Sequence, residues 1–446
     1  MEDRRLYRIV AALLLSLAVS VPLAAMAQEA VPAAAAAPAA KIDSGDTAWI
    51  LVSTALVMLM TPGLAMFYGG MVRRKNVLGT IMHSFIAIGL VSLQWILFGY
   101  SLSFGPDVKG LIGNLSWAGL SGVGLTPNAD YAPTIPHLLF MAFQMMFAVI
   151  TPALISGAVA ERMKFSTFLI FTLLWTTIVY DPIAHWVWGA GGWLKNLGVL
   201  DFAGGIVVHA TSGFSALAAA LFIGKRKGFL HESMPPHNLP MTVLGAGLLW
   251  FGWFGFNAGS ALASGTLATM AFLTTHIAAS SATVTWVIIE WLHRGKPTMF
   301  GAATGSIAGL ATITPAAGFI APLPALFIGI AAGVLCYIAL NAKTKFGYDD
   351  SLDAFGVHGV GGTLGTLMTG LFASVAINAA GANGALYGNM KQFFIQAGAV
   401  ALVAFYSFVA SYVLLKVLNA TMGLRVDAEQ ETEGLDISQH GEAGYA

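Results

Sequence analysis

The apolar positions of this chain fall into long unbroken blocks, not into the short alternating runs of a soluble fold. Blocks of spanning length cover roughly 47–71, 77–104, 137–160, 167–188, 202–223, 239–258, 267–292, 299–317, 322–341, 353–375 and 393–418. A helix needs about 20 apolar residues to cross the hydrocarbon core, and backbone groups in lipid must bond within their own segment. The pattern therefore predicts an all-α integral membrane protein of eleven transmembrane helices.

The polar gaps test that count. Those assigned to the inner side, such as 73–75, 162–164 and 225–227, together with Lys416 and Arg425, hold 14 Lys and Arg. The gaps assigned outside hold only Lys41, Lys109, Lys195 and Lys391. Basic residues collect on the cytoplasmic side, so the first span enters from outside and the C-terminus is cytoplasmic. Composition agrees: 57% of residues are hydrophobic and 9% charged, against about 25% charged in soluble domains. The apolar composition points to the lipid bilayer as surroundings, and basic and acidic residues balance at 21 each, which implies no nucleic-acid partner. The lone Cys336 excludes an internal disulfide and a cysteine-based metal or redox site. No nucleotide loop, metal cluster or nucleophile–base arrangement stands out, so no enzyme and no cofactor is expected.

Arg4, Arg5 and Arg8 precede an apolar run that closes on Ala25-Met26-Ala27, which reads as a signal peptide over 1–27. Residues 28–46 form an Ala/Pro-rich periplasmic linker. The membrane domain is expected over 47–419. A polar tail, 420–446, carries six acidic residues between Asp427 and Glu442.

Two stretches break the apolar monotony. Asp201-Phe202-Ala203-Gly204-Gly205 leads to His209, and Asp353-Ala354-Phe355-Gly356-Val357 leads to His358. Ionisable groups inside spans are costly and mark functional candidates. Span five starts outside and span ten inside, so eleven spans divide into a 5+5 inverted repeat plus one long C-terminal span. His209, eight residues past Asp201, lies roughly 12 Å along a helix, near the middle of a ~30 Å core. His358 reaches the same depth from the other side. Asp201 is expected to cap its helix, Asp353 to be structural, and Gly204 and Gly205 to permit close packing. Mid-span His276 is expected to hydrogen-bond between helices. Asp181–His185, Glu161–Arg162 and Glu290–Arg294 are expected to pair.

These residues carry a resemblance. The run from Asp201 to Gly224-Lys225-Arg226 is similar to the signature of the ammonium transporter (Amt/Rh) family. Pro62-Gly63, Phe67-Tyr68-Gly69-Gly70, Gly157-Ala158-Val159-Ala160-Glu161-Arg162, Trp253-Phe254-Gly255-Phe256-Asn257 and Gly423-Leu424-Arg425-Val426 follow the same family in order. The resemblance implies a pore within each subunit of a homotrimer in the bacterial cell inner membrane. It implies an outer recruitment site of Phe147, Trp188 and Ser260, a gate of Phe147 and Phe256, and a pore lined by His209 and His358. The substrate would be ammonium or methylammonium, bound as a cation, deprotonated and passed as ammonia, with electrogenic proton transfer. The tail would be ordered and couple subunits, and a nitrogen-regulatory PII protein would dock at the cytoplasmic face. An ammonium sensor and a neutral-gas channel are the competing readings.

Overall fold

The computed structural model describes residues 41–445. The expected signal peptide and linker residues 28–40 lie outside the described residues. In chain order the main helices are α1 (Ser44–Met71), α2 (Arg74–Phe104), α3 (His137–Val159), α4 (Phe165–Leu197, interrupted at 189–192), α5 (Gly205–Ile223), α6 (Leu239–Ala258) and α7 (Thr266–Arg294). They continue as α8 (Met299–Ile313), α9 (Pro322–Phe346), α10 (Val360–Phe372), α11 (Met390–Thr421), α12 (Ala428–Glu433) and α13 (Leu435–His440). One two-stranded ribbon, Asp107–Val108 with Ile112–Gly113, lies between α2 and α3. The first helix begins slightly before the expected position 47, because the Asp43 side chain accepts the Asp46 N–H at 2.9 Å and caps it.

Among the described residues, nine helices are long and apolar enough to cross a membrane: α1 to α7, α9 and α11. The block at 299–317 forms a helix of only 15 residues, whereas the helical run over 354–372 is as long as α5 but is not among the nine. Helix α8 stops at Ile313 because Pro315 cannot continue it, and residues 314–319 are turns. Helix α10 is preceded by a π-helical turn, Phe355–Gly359. Further π-helical turns occur at Gly205–Ala210 and Phe254–Ala258. These three turns carry His209, Phe256 and His358. A π turn adds a residue to the helical repeat and re-aims the side chains on it, which is why such turns gather at working sites.

Helices α3 and α5 are apolar nearly all round and buried nearly all round, as a central helix must be. Helix α1 packs against α6, and α5 against α10 and α11. The lateral surface carries exposed Phe85, Leu93, Trp291, Phe394 and Phe405, an apolar belt that only lipid or another membrane subunit would cover.

The inner helix ends are tied by buried charge. Glu161, at φ 71 just past α3, accepts from Arg73 at 3.1 Å, from Asn76 at 3.0 Å and from Arg226 at 2.8 Å. Arg226 grips Asp349 through Nε and Nη2 at 2.9 and 2.8 Å. The expected Glu161–Arg162 pair does not form. Neighbours on a bend point apart, and Arg162 instead donates to the carbonyls of Gly224 and Asp349 and to Ser351. Nor does Glu290 pair with Arg294: it accepts from the N–H and hydroxyl of Thr298, the residue whose hydroxyl oxygen caps α8, while Arg294 donates to Asn341. The tail folds beneath this layer. Its Asp427 closes a capping box on α12, Glu431 meets Arg425 at 2.7 Å, and Asp436 accepts the Gly79 N–H at 2.8 Å.

Candidate functional site

Asp201 decides where α5 begins. Its two carboxylate oxygens accept four backbone N–H groups, from Gly204, Gly205, Ile206 and Val207, at 2.7–3.0 Å. That satisfies all the donors that a helix start leaves unpaired. The turn needs Gly204 at φ +116, a left-handed conformation that a side chain resists. At Gly205 a Cβ would stand 2.4 Å from the Pro315 ring. Both glycines thus let the start of α5 sit tightly against the turn after α8, as close packing requires.

The second carboxylate cap is not Asp353. Asp350 accepts from Ala354 N–H at 3.1 Å and Phe355 N–H at 2.8 Å. It stands as far before His358 as Asp201 stands before His209. Asp353 sits at φ 62, with its carboxylate 2.5 Å from the Lys343 ammonium. It belongs to the inner edge. The equal spacing was available in the sequence and is the signal that identifies Asp350.

His209 and His358 meet. Their Nδ1 atoms are 3.2 Å apart and the rings stack at 5.2 Å between centroids. Both are almost fully buried, at 2% and 3% exposure. A single proton on one Nδ1 makes that bond, so the two neutral rings take opposite tautomers. His209 Nε2 is buried with no partner among the described residues. A small cavity beside both rings is walled by Leu64, Phe67, Ile150, Val208 and Trp253, and the Trp253 ring lies 5.5 Å from His209.

Above the histidines the rings form a file. Phe256 lies 6.0 Å from His209, and Phe147 stacks on Phe256 at 4.2 Å. Trp188 meets Phe147 edge-on at 5.9 Å. Trp188, Phe147 and Ser260 line a cavity of about 320 Å³, with Gln144 and Asp201 in the same wall. Ser260 donates its hydroxyl proton to the Phe256 carbonyl at 2.8 Å. Its oxygen therefore faces the cavity as an acceptor. Tyr131 and Lys195, which sequence reasoning did not single out for this site, also line it.

Other polar residues serve elsewhere. Asp181 accepts from Gln94 at 2.7 Å and Ser103 at 3.3 Å, while His185 meets Asp107 at 2.9 Å, so the expected Asp181–His185 pair is absent. His276 is exposed on the lateral face beside the rings of Trp250 and Phe254. His83 is buried against Phe165 and Phe168.

Fold and site together define a multi-pass helical membrane protein with a file of aromatic rings ending on a paired imidazole centre. The chain belongs to the Ammonium Transporter Family, whose profile matches residues 48–445. It is 53% identical over 402 residues to an ammonium transporter of Bacillus subtilis (strain 168), covering 90% of this chain and 98% of that one. Its fold resembles the crystal structure of Saccharomyces cerevisiae Mep2, with a TM-score of 0.82 and 37% identity over 87% of this chain and 88% of that one. It also resembles a sensor Amt protein, with a TM-score of 0.82 and 31% identity over 89% and 98%.

Proposed function

We propose that this protein carries ammonium and methylammonium across the membrane by binding the cation outside, removing a proton and passing ammonia along a pore within the subunit. The observation that carries this reading is the unbroken file Trp188–Phe147–Phe256–His209–His358. Trp188 and Phe147 offer ring faces to a cation, and Ser260 offers a lone pair to one N–H. Together they replace part of the lost hydration. The stacked Phe147 and Phe256 bar a hydrated ion, and a bare charge in the apolar space beyond would be strongly disfavoured. Ammonia is neutral and passes more cheaply. Beyond the gate, one imidazole presents an Nε2 lone pair and the other an Nε2–H. Ammonia can donate to the first and accept from the second. When the ring with the bare Nε2 takes up a proton there, it passes its Nδ1 proton to the other ring, which releases its own Nε2 proton. The roles are then exchanged and one proton has crossed the pair, a relay for the proton removed outside. Transport on this scheme is electrogenic. A neutral-gas channel would have no use for the cation-attracting mouth.

The matched caps, Asp201 eight residues before His209 and Asp350 eight before His358, support an inverted repeat of two five-helix halves. The orientation of basic residues supports an external N-terminal end and a cytoplasmic tail in a bacterial inner membrane. The lateral face with His276 supports an oligomer, because a mid-span histidine facing lipid would be costly and a neighbouring subunit would cover it; the number three rests on the family alone. A PII protein at the cytoplasmic face rests on the family alone.

Reconstituted protein given an ammonium jump should produce a current, and His209→Ala should lose the current while retaining flux. Flux without current in the wild type would refute electrogenic transport. The likeness to a sensor Amt protein favours ammonium sensing as a second reading, and methylammonium uptake by the purified protein in vesicles separates the two: no flux at all would point to sensing.

A further inference from the structure

The outer cavity contains a cation of its own. Lys195 lines the cavity shared by Trp188, Phe147 and Ser260. Its Nζ donates to the Trp188 carbonyl at 3.0 Å and lies 5.8 Å from the centroid of the Tyr131 ring, over its face. Tyr131 is a fixed platform. Its hydroxyl donates to the Phe104 carbonyl at 2.6 Å and accepts from the Ala190 N–H at 2.9 Å. Its ring stacks on Phe140 at 4.9 Å.

A cation within ~6 Å of an aromatic centroid is attracted by the ring. The lysine head group is an alkylammonium with three N–H donors, the same chemistry as methylammonium. A ring face and a carbonyl oxygen therefore form an ammonium site at the rim, and the chain fills it with a tethered ammonium. A second cation in the same cavity would be repelled by that charge, while Asp130, in the same wall, acts in the opposite sense on both.

We propose that Lys195 sets the affinity of the outer mouth: its side chain occupies the Tyr131 face and opposes entry of free ammonium. This rests on the transport reading above. A charge at a rim acts on encounter and salt dependence more than on later steps, so KM should move and the maximal rate should not.

The test is radiolabelled methylammonium uptake into proteoliposomes at low and high ionic strength. Lys195→Met keeps an unbranched stem one atom shorter and removes the charge. It should lower KM by about two- to tenfold at low ionic strength, with the advantage shrinking at high salt and the maximal rate within about twofold of wild type. Lys195→Arg should keep the wild-type KM. Adding Tyr131→Leu to Lys195→Met should cancel the gain; if that double variant does not fold, the salt dependence of Lys195→Met decides alone. An unchanged or raised KM in Lys195→Met, or a gain indifferent to salt, would overturn the proposal and leave Lys195 a structural tether for Trp188. Wild type without saturable uptake would overturn the transport reading and this one with it, whereas saturable wild-type uptake with an unmoved Lys195→Met overturns this one only.

Discussion

Trp188 is held at both of its polar ends. Its indole N–H donates to the Asp201 carbonyl at 2.9 Å, and its own carbonyl accepts from Lys195. The indole bond holds the ring at right angles to Phe147 in the wall of the outer cavity. Trp188→Leu keeps an apolar filler and removes the π face. A cation–π contact contributes about 0.5–2 kcal/mol, so KM for methylammonium should rise about two- to thirtyfold in uptake competition; an unchanged KM would remove Trp188 from recruitment. Gly205→Ala drives a methyl group into Pro315. Overpacking of that kind costs about 1–3 kcal/mol, and thermal unfolding in detergent should show a lower midpoint. At this scale the chemistry of single residues was legible: a buried histidine or a glycine cluster is conspicuous in an apolar run. Their partners were not. His276 looks like His209 in sequence, yet one faces outward and the other faces a second imidazole.

At the scale of the element, the start of α5 shows what one carboxylate can organise. Four N–H groups converge on Asp201 and two on Asp350. Removing an N-cap costs about 1–2 kcal/mol, and leaving buried donors unpaired adds to that. Asp201→Ala should therefore destabilise by about 2–4 kcal/mol and Asp350→Ala by less, read as shifts in melting temperature. The reverse order would show that the number of capped donors does not govern the two sites. The spans themselves were readable because lipid demands long apolar helices. The breaks inside them were less so. Pro315 gives a chemical reason for the end of α8, but no local signal marks the π turns at Gly205–Ala210 and Phe355–Gly359.

The inner charge layer belongs to the whole molecule, since it joins the ends of α1, α3 and α5 to the loop before α10. Burial pushes the Glu161 carboxyl up, but Arg226 and then Arg73 outweigh it and hold it at about 2 against an ordinary 4.5. A carboxyl depressed on folding adds stability that is complete above its unfolded value and lost as pH falls through the folded one. The protein should accordingly lose on the order of 3 kcal/mol from this group between pH 4.5 and about 2. Glu161→Gln should flatten that part of the melting-temperature profile, and an unchanged profile would assign the acid sensitivity to another group. Breaking a buried pair by deleting one member costs about 3–5 kcal/mol, so Glu161→Ala should also melt earlier at neutral pH.

Taken alone, the order of residues determined that this chain is helical and crosses a membrane repeatedly, because apolar length and backbone satisfaction leave lipid-borne segments little choice. It also marked Asp201, His209 and His358 as residues out of keeping with their surroundings. The choice of partners was decided only in three dimensions: Asp350 as the second cap, Glu161 between Arg73 and Arg226, Lys195 over Tyr131, and the 3.2 Å approach of the two imidazoles. A hydrogen bond or ion pair depends on distances of a few tenths of an ångström between segments far apart in the chain. Hydropathy reports only which residues leave water, so it cannot say which of them then meet.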